Sequence, residues 1–306
     1  MNLRILLALS LAIPATAALA ADGTFDRTLN LTGAATLSIS TGSGYVHIYP
    51  GPDNRIHIVG HVHGNAGGWF DSDGDINQRV QQILASPPIV QSGNTITVGR
   101  DHADSDLFKN IAIDYDVTTP RSTTLKAGTG SGEIEIGGID QGAVTANTGS
   151  GSIHVDNIAG NAHLGTGSGG IKATNVHGAA TLETGSGNVE LVLTAPGDVK
   201  AQAGSGSVHI DGVNGALRAG SGSGSLEVQG NPTAEWRLES GSGSINLRLP
   251  PDAHFTLNAE SGSGGIHTGM PIAMQGSLNP HHLTGSVNGG GPTVRASTGS
   301  GSITLN

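Results

Sequence analysis

Serine, histidine and aspartate are the residues whose types and spacing could do chemistry in this chain. A Gly-Ser-Gly tripeptide recurs, with serines at Ser131, Ser150, Ser168, Ser186, Ser205, Ser223, Ser242, Ser263 and Ser300. A nucleophilic serine is normally a single residue with a base beside it. One serine repeated in every unit reads as a structural corner, so no catalytic residue is assigned. No Gly-Lys-Ser/Thr follows, which excludes a phosphate loop. No corner carries the Asp that calcium-binding β-rolls need.

His57, His61 and His63 alternate on one strand face, and His47 is expected opposite His57 across the turn Pro50–Asn54. Such a strand could hold a metal ion, yet the sequence offers no evident acidic third ligand. Asp71, Asp73 and Asp75 suggest calcium, but the Gly position and the missing Glu do not fit an EF-hand loop. An acidic start to a helix over Asp75–Ala85 accounts for them better. These six residues are the metal candidates. The reading assigns no metal and no cofactor.

The elements that position these residues follow from the repeat. Gly-Ser-Gly starts at Gly42, then at Gly130, Gly149, Gly167, Gly185, Gly204, Gly222, Gly241, Gly262 and Gly299. From Gly130 to Gly241 the steps are 18 or 19 residues, then 21, then 37. A fixed period of this size marks a solenoid. Four and six residues after each first Gly stand apolar side chains such as Ile134 and Ile136, Ile153 and Val155, Val208 and Ile210. Five and three residues before it stand pairs such as Val144 and Ala146, or Trp236 and Leu238. Spacing of two means strand, with alternate residues facing one interior.

The predicted fold is therefore all-β, a right-handed parallel β-solenoid (β-helix). The expected corners are Gly130, Gly132, Gly149, Gly151, Gly167, Gly169, Gly185, Gly187, Gly204, Gly206, Gly222, Gly224, Gly241, Gly243, Gly262, Gly264, Gly299 and Gly301. They are expected to supply positive φ. About nine rungs at roughly 4.8 Å give a rod on the order of 45 Å long. Three segments are expected. Residues 1–20 are a signal peptide, 21–122 an irregular N-terminal β part continuous with the solenoid, and 123–306 the regular rungs. The irregular part carries strands near Thr36–Ser40, Tyr45–Tyr49, Arg55–His63, Thr95–Val98 and Ile111–Val117. It also carries one helical insertion over 75–85 that caps an open end.

Composition fits this reading. Among 306 residues there are 50 Gly, no Cys and only 3% aromatics. Without Cys there is no disulfide, thiolate metal site or Cys nucleophile. The net charge of −10 argues against a nucleic-acid partner. Arg4, the apolar run Ile5–Ile13 and Ala18-Leu19-Ala20 read as an export signal cut before Ala21. No later run is long enough to span a membrane. The protein is thus expected in the periplasm, at the cell surface or outside the cell.

Outward columns carry the remaining polar residues. One reads Glu135, His154, Lys172, Glu190, His209, Glu227, Asn246, His267, mostly compatible neighbours on a solvated face. Another, Lys200, Arg218 and Arg237, is a basic stripe flanked by Glu183, Glu239 and Glu260. It could meet an acidic glycan or a lipid head group.

The run Ile111–Pro120, the following Thr124–Ile136 and the ending Gly290–Leu305 resemble the bacterial "putative adhesin" β-strand-repeat family. The resemblance implies a β-helical fold, an envelope or surface role, and no catalytic residues. The leading reading is a non-enzymatic exported scaffold or adhesin-like binder, with an envelope, glycan or protein partner. A polysaccharide-active enzyme is the first alternative; however, Trp236 and Phe255 are the only aromatic platforms available to it in the rungs. An envelope-stress sensing component is the second. Ser302–Asn306 is expected as the outermost strand, so either the Met270–Gly291 stretch covers that end or copies associate end to end.

Overall fold

A computed structural model describes residues 22–65, 73–99, 106–274 and 279–306. The chain winds as a flattened β-solenoid in which each rung gives one strand to each of two facing sheets, of 13 and 14 strands. Strand Val144–Thr148 of the 14-stranded sheet leads through the corner Gly149–Gly151 into Ile153–Ile158 of the 13-stranded sheet. A second bend returns it to Ala162–Thr166, one rung on. The pairing is parallel and in register: Val144 lies between Leu125 and Ala162, Ile153 between Ile134 and Ile171. One interior is filled by these aliphatic ladders. Ile139, Ile158, Val176 and Val213 add a third inward contact on the 13-stranded side. Full burial of each Val, Leu or Ile contributes about 1.5–3 kcal/mol.

The corner glycines are needed for a different reason from the expected one. Their φ angles are not positive; the left-handed glycines of the described residues are Gly93, Gly99, Gly138, Gly212, Gly289 and Gly290. The requirement is contact between rungs. A Cβ on Gly187 would sit 1.9 Å from the carbonyl oxygen of Gly169, and one on Gly206 1.8 Å from that of Gly187. Rungs at sheet spacing stack only if these Cα atoms stay bare.

The residue before each corner completes the turn. The buried Thr148 hydroxyl donates to the Gly132 carbonyl and accepts from the Gly151 N–H, both at 3.1 Å. Thr129, Thr166, Thr184, Ser221, Ser240, Ser261 and Thr298 repeat this pair of bonds. Ala203 stands in the same position with no hydroxyl.

Both ends depart from simple winding. Strands Thr36–Thr41 and Val46–Pro50 form the first rung in sequence but the second in space. Thr95–Gly99 and Ile111–Thr119 lie outside them. At the other end, Thr293–Thr298 and Ile303–Leu305 lie between the rung Trp236–Arg248 and the rung Phe255–Thr268. The expected outermost strand over Ser302–Asn306 is therefore internal. Ile303 and Leu305 are fully buried, paired with Ile245 and Leu247 on one side and Ile266 and Thr268 on the other. The turn Asn288-Gly289-Gly290 makes this threading feasible, with φ of 49°, 89° and 85°. Asn288 Nδ2 pins it to the carbonyls of Pro251 and Ala253, each at 2.9 Å. In the Met270–Gly291 stretch, strand His282–Val287 pairs antiparallel with Phe255–Ser261, and Ala273–Met274 pairs with it in turn.

At the N-terminal end, strand Asp22–Asn30, which the sequence reading did not separate, pairs antiparallel with Arg55–Gly64. A helix α1 spans Asp73–Ala85. Its Ile76, Val80 and Ile83 are buried in the common core, against those two strands. A short 3-10 turn at Asp106–Phe108 is the one further helical element among the described residues.

Candidate functional site

The corner serines are exposed, and among the described residues none hydrogen-bonds to a His, Asp or Glu side chain. They stand as a row of hydroxyls along one edge of the solenoid, the buried Thr and Ser beside them holding the turns.

The histidines form a cluster at the N-terminal end, on the outer face of the 13-stranded sheet. Strand Ile111–Thr119 runs between Val46–Pro50 and Arg55–Gly64, so His47 does not lie opposite His57. His47 pairs instead with Asp116, and His57 with Thr118. This intervening strand brings Asp114 and Asp116, and the edge strand Asp22–Asn30 brings Asp22 and Asp26, acids that local sequence did not reveal. Asp116 faces His47 Nδ1 at 3.4 Å and His61 Nε2 at 3.2 Å with different oxygens. His63 lies 3.2 Å from both Asp22 and Asp114, and His57 lies 2.8 Å from Asp26. The Tyr45 ring stacks on His47 at 4.2 Å. Its hydroxyl donates to Asp116 at 3.1 Å. Burial and this bond to a carboxylate push the Tyr45 phenol up to about 12.

Each imidazole of the cluster is thus held by a carboxylate. Among the described residues no three His, Asp or Glu side chains are disposed to hold a metal ion. Asp71 lies outside the described residues, Asp73 opens α1, and Asp75 is exposed in its first turn.

Farther along the same sheet the outward column reads His47, Glu135, His154, Lys172, Glu190, His209, Glu227, Asn246, Thr304, His267. The internal rung places Thr304 between Asn246 and His267, which the linear reading made neighbours. Lys172–Glu190 at 2.9 Å and His209–Glu227 at 3.3 Å are its cross-rung pairs. In the next column Asp156 accepts from Thr174 at 2.6 Å and from Asn175 at 2.9 Å. Thr174's hydrogen bond foremost holds that carboxyl below its ordinary value.

The 14-stranded sheet carries a longer basic row than the sequence suggested. Lys200, Arg218 and Arg237 are adjacent, and Arg295 of the internal rung pairs directly with Arg237. Arg295 was missed because it lies 58 residues from Arg237. Trp236 and Phe255 are fully buried, and Trp236 Nε1 donates to the Gly215 carbonyl at 2.9 Å. They belong to the core and are not platforms for a ligand.

A family model matches residues 34–212 and 89–306, which together run across the described rungs. The chain belongs to the Toastrack DUF4097 family. No curated protein matches it. Three crystal structures are similar over most of their length. A putative cell adhesion protein from Clostridium sporogenes is 15% identical, with 93% of this chain and 98% of that one covered and a TM-score of 0.24. For a putative adhesin from Bacteroides fragilis the values are 14%, 93%, 97% and 0.39. For a putative lipid binding protein from Parabacteroides distasonis they are 12%, 92%, 96% and 0.38. In this Toastrack chain the outward columns, not the corners, hold the side chains that differ from rung to rung. No helix among the described residues is long and apolar enough to cross a membrane.

Proposed function

We propose that this Toastrack protein is an exported, non-enzymatic binding solenoid that presents a long outer face to a partner in the cell envelope or at the cell surface. The observation that carries this reading is the pair of outer sheet faces. Their side chains stand in register over many rungs, and the grooves between them are open and shallow. Such a surface suits an extended partner engaged at many points. A polysaccharide-cleaving enzyme would need a paired acid and base around one bond. The regular rungs between Thr124 and Arg248 carry no long decorating loops to build such a site.

Export rests on Arg4, the apolar run Ile5–Ile13 and the Ala18-Leu19-Ala20 site. The test is cell fractionation of the native host with N-terminal sequencing of the recovered protein, together with binding of the purified 21–306 chain to isolated envelope polysaccharide. The expected result is a chain beginning at Ala21 outside the cytoplasm, and retention on the polysaccharide without release of reducing ends. A cytoplasmic chain that keeps residues 1–20, or release of reducing ends, overturns the reading.

A further inference from the structure

Two rows of side chains run along the axis on the outer face of the 14-stranded sheet. The first is cationic: Lys200, Arg218, Arg237 and Arg295 follow one another in register. Two residues further along the strands of Lys200, Arg218 and Arg237 stand Gln202, Gly220 and Glu239, and Glu183 of the preceding strand extends this row of acceptors and gaps. Adjacent strands are about 4.8 Å apart, a repeat comparable with one sugar of an extended chain.

The charges of the first row are not equally free. Lys200 is held by Glu183 at 2.5 Å and Arg237 by Glu239 at 2.6 Å, and Arg295 faces Glu235 at 3.8 Å. Arg218 is exposed and, among the described residues, has no ion pair or hydrogen bond. An arginine whose planar fork meets no internal acceptor is suited to an external carboxylate.

Gly220 lies two residues from Arg218 on the same face. A Cβ at the corner glycines would strike backbone. At Gly220 its nearest neighbour would be the Glu239 carbonyl oxygen at 3.7 Å, an ordinary contact, and the residue's φ is not left-handed. The fold does not require glycine here, and glycine weakens a strand interior. Its effect is to leave the acceptor row open, on a shallow groove of about 600 Å³ that runs from Gly165 to Glu239 between that row and the corners. Arg218 itself lines a second groove, of about 360 Å³, with Lys200, Arg237, Thr181, Asp198 and Glu235.

We infer that this face binds a linear acidic polysaccharide laid along the solenoid axis. Arg218 takes a carboxylate of the chain. Glu183, Gln202 and Glu239 accept hydrogen bonds from its hydroxyls across the floor left by Gly220. The inference rests on the binding-solenoid reading above. A uronic acid residue carries both a carboxylate and hydroxyl donors, matching a cationic row beside an acceptor row. A polymer whose charges are all phosphates would run beside the carboxylates of Glu183 and Glu239. A membrane surface would need exposed apolar anchors; among the described residues the large exposed apolar side chains are Tyr49 and Val90, which lie on neither row.

The test is calorimetric titration of the 21–306 chain with polygalacturonate oligomers, neutral dextran and phosphatidylglycerol vesicles. Polygalacturonate is expected to bind, more weakly as salt is raised, and the other two are not. Loss of one charge-assisted hydrogen bond in Arg218→Ala should weaken binding about tenfold or more. Gly220→Gln should also weaken it, with a melting temperature equal to or above the parent's, which separates filling of the groove from damage to the fold. Arg248→Ala, on the opposite sheet, should leave the affinity unchanged. No binding of polygalacturonate, equal affinity of the Arg218→Ala variant, or binding of vesicles in its place overturns the inference. If isolated envelope polysaccharide is retained equally by the parent, Arg218→Ala and Gly220→Gln, this site is wrong and the binding reading stands. Loss of that retention in the parent chain removes the binding reading itself.

Discussion

The middle rungs and the two ends of this molecule are built from the same kinds of strand but solve different problems. Between Thr124 and Arg248 every rung lies beside its sequence neighbours, 18 or 19 residues away. At the ends, pairing spans much longer stretches of chain: Gly130 N donates to the Thr41 carbonyl at 3.2 Å, and Gly299 N to that of Ser240 at 3.1 Å. Antiparallel strands and α1 then cover what lies outside. The middle is stabilised by repetition, with local contacts that close at small entropic cost. The ends place a rung between two others, so that the edge strands are not the last ones made. Exposed edges recruit other chains. At the C-terminal end the 13-stranded sheet stops on the three-residue strand Ile266–Thr268 and the 14-stranded sheet on the two-residue strand Ala273–Met274; at the N-terminal end the edges are the nine-residue strand Asp22–Asn30 and the four-residue strand Ile89–Ser92.

The largest expected effect sharpens this picture within the middle itself. Gly187→Val or Gly206→Val places atoms where a neighbouring carbonyl already sits, and should lower stability by about 3 kcal/mol or more. Gly220→Ala should be neutral or stabilising by up to about 1 kcal/mol, and Ser186→Ala should stay within about 0.5 kcal/mol of the parent. Thermal melts of the four variants decide the matter, since comparable losses at Gly187 and Gly220 would show that rung contact is not what selects glycine.

The second prediction concerns the internal C-terminal rung. Ile303 N donates to the Gly265 carbonyl at 3.0 Å, and the side chain is fully buried. Ile303→Pro should therefore cost about 3 kcal/mol. Amide exchange should show Ile303–Leu305 protected as strongly as Ile245–Leu247. Rapid exchange at Ile303–Leu305, with the proline variant as stable as the parent, would return that strand to the edge.

A smaller gain is expected at Ala203, the one interruption in the buried hydroxyl column between Thr184 and Ser221. Ala203→Thr supplies a donor to the Gly187 carbonyl and an acceptor for the Gly206 N–H. It should raise stability by about 1 kcal/mol in chemical denaturation, and a loss would mean that the column is crowded there. The smallest effect is expected at the N-terminal end. The Tyr115 hydroxyl is buried with no hydrogen-bond partner among the described residues, and burial raises its pKa. Tyr115→Phe should be neutral or stabilising by up to about 1 kcal/mol. A clear loss of stability would show that the hydroxyl is satisfied.

The rungs were legible because two constraints repeat together. Alternating aliphatics such as Ile153 and Val155 mark the inward face, and Gly-Ser-Gly marks where the chain must leave it. The helix was legible from Ile76, Val80 and Ile83 at helical spacing. Order in space was not legible where the chain doubles back. Ile266 and Ile303 carry the same pattern, and nothing in that pattern says which stacks on Ile245. The signal lay in Asn288-Gly289-Gly290, three residues suited to left-handed backbone, which let the chain cross past Phe255–Ser261. The same displacement hid Arg295 from the basic row and the Asp116 contacts from the histidines. The corner glycines were located correctly, but for the wrong reason. Local turn geometry suggested positive φ, whereas the constraint comes from a carbonyl one rung away.

The interleaved ends also determine where this molecule can change length. A duplicated segment of one period placed among the strands from Val144 to Ser221 would find neighbours like those it was copied from. The rod would grow by one layer, and the outer columns by one position. The same segment placed after Arg248 would have to compete with Thr293–Leu305 for a slot already occupied, and one placed before Thr95 would have to part Thr36–Thr41 from Thr95–Gly99. Length is therefore adjustable only in the interior, with the two closures carried along unchanged, as a ruler is extended between fixed end stops.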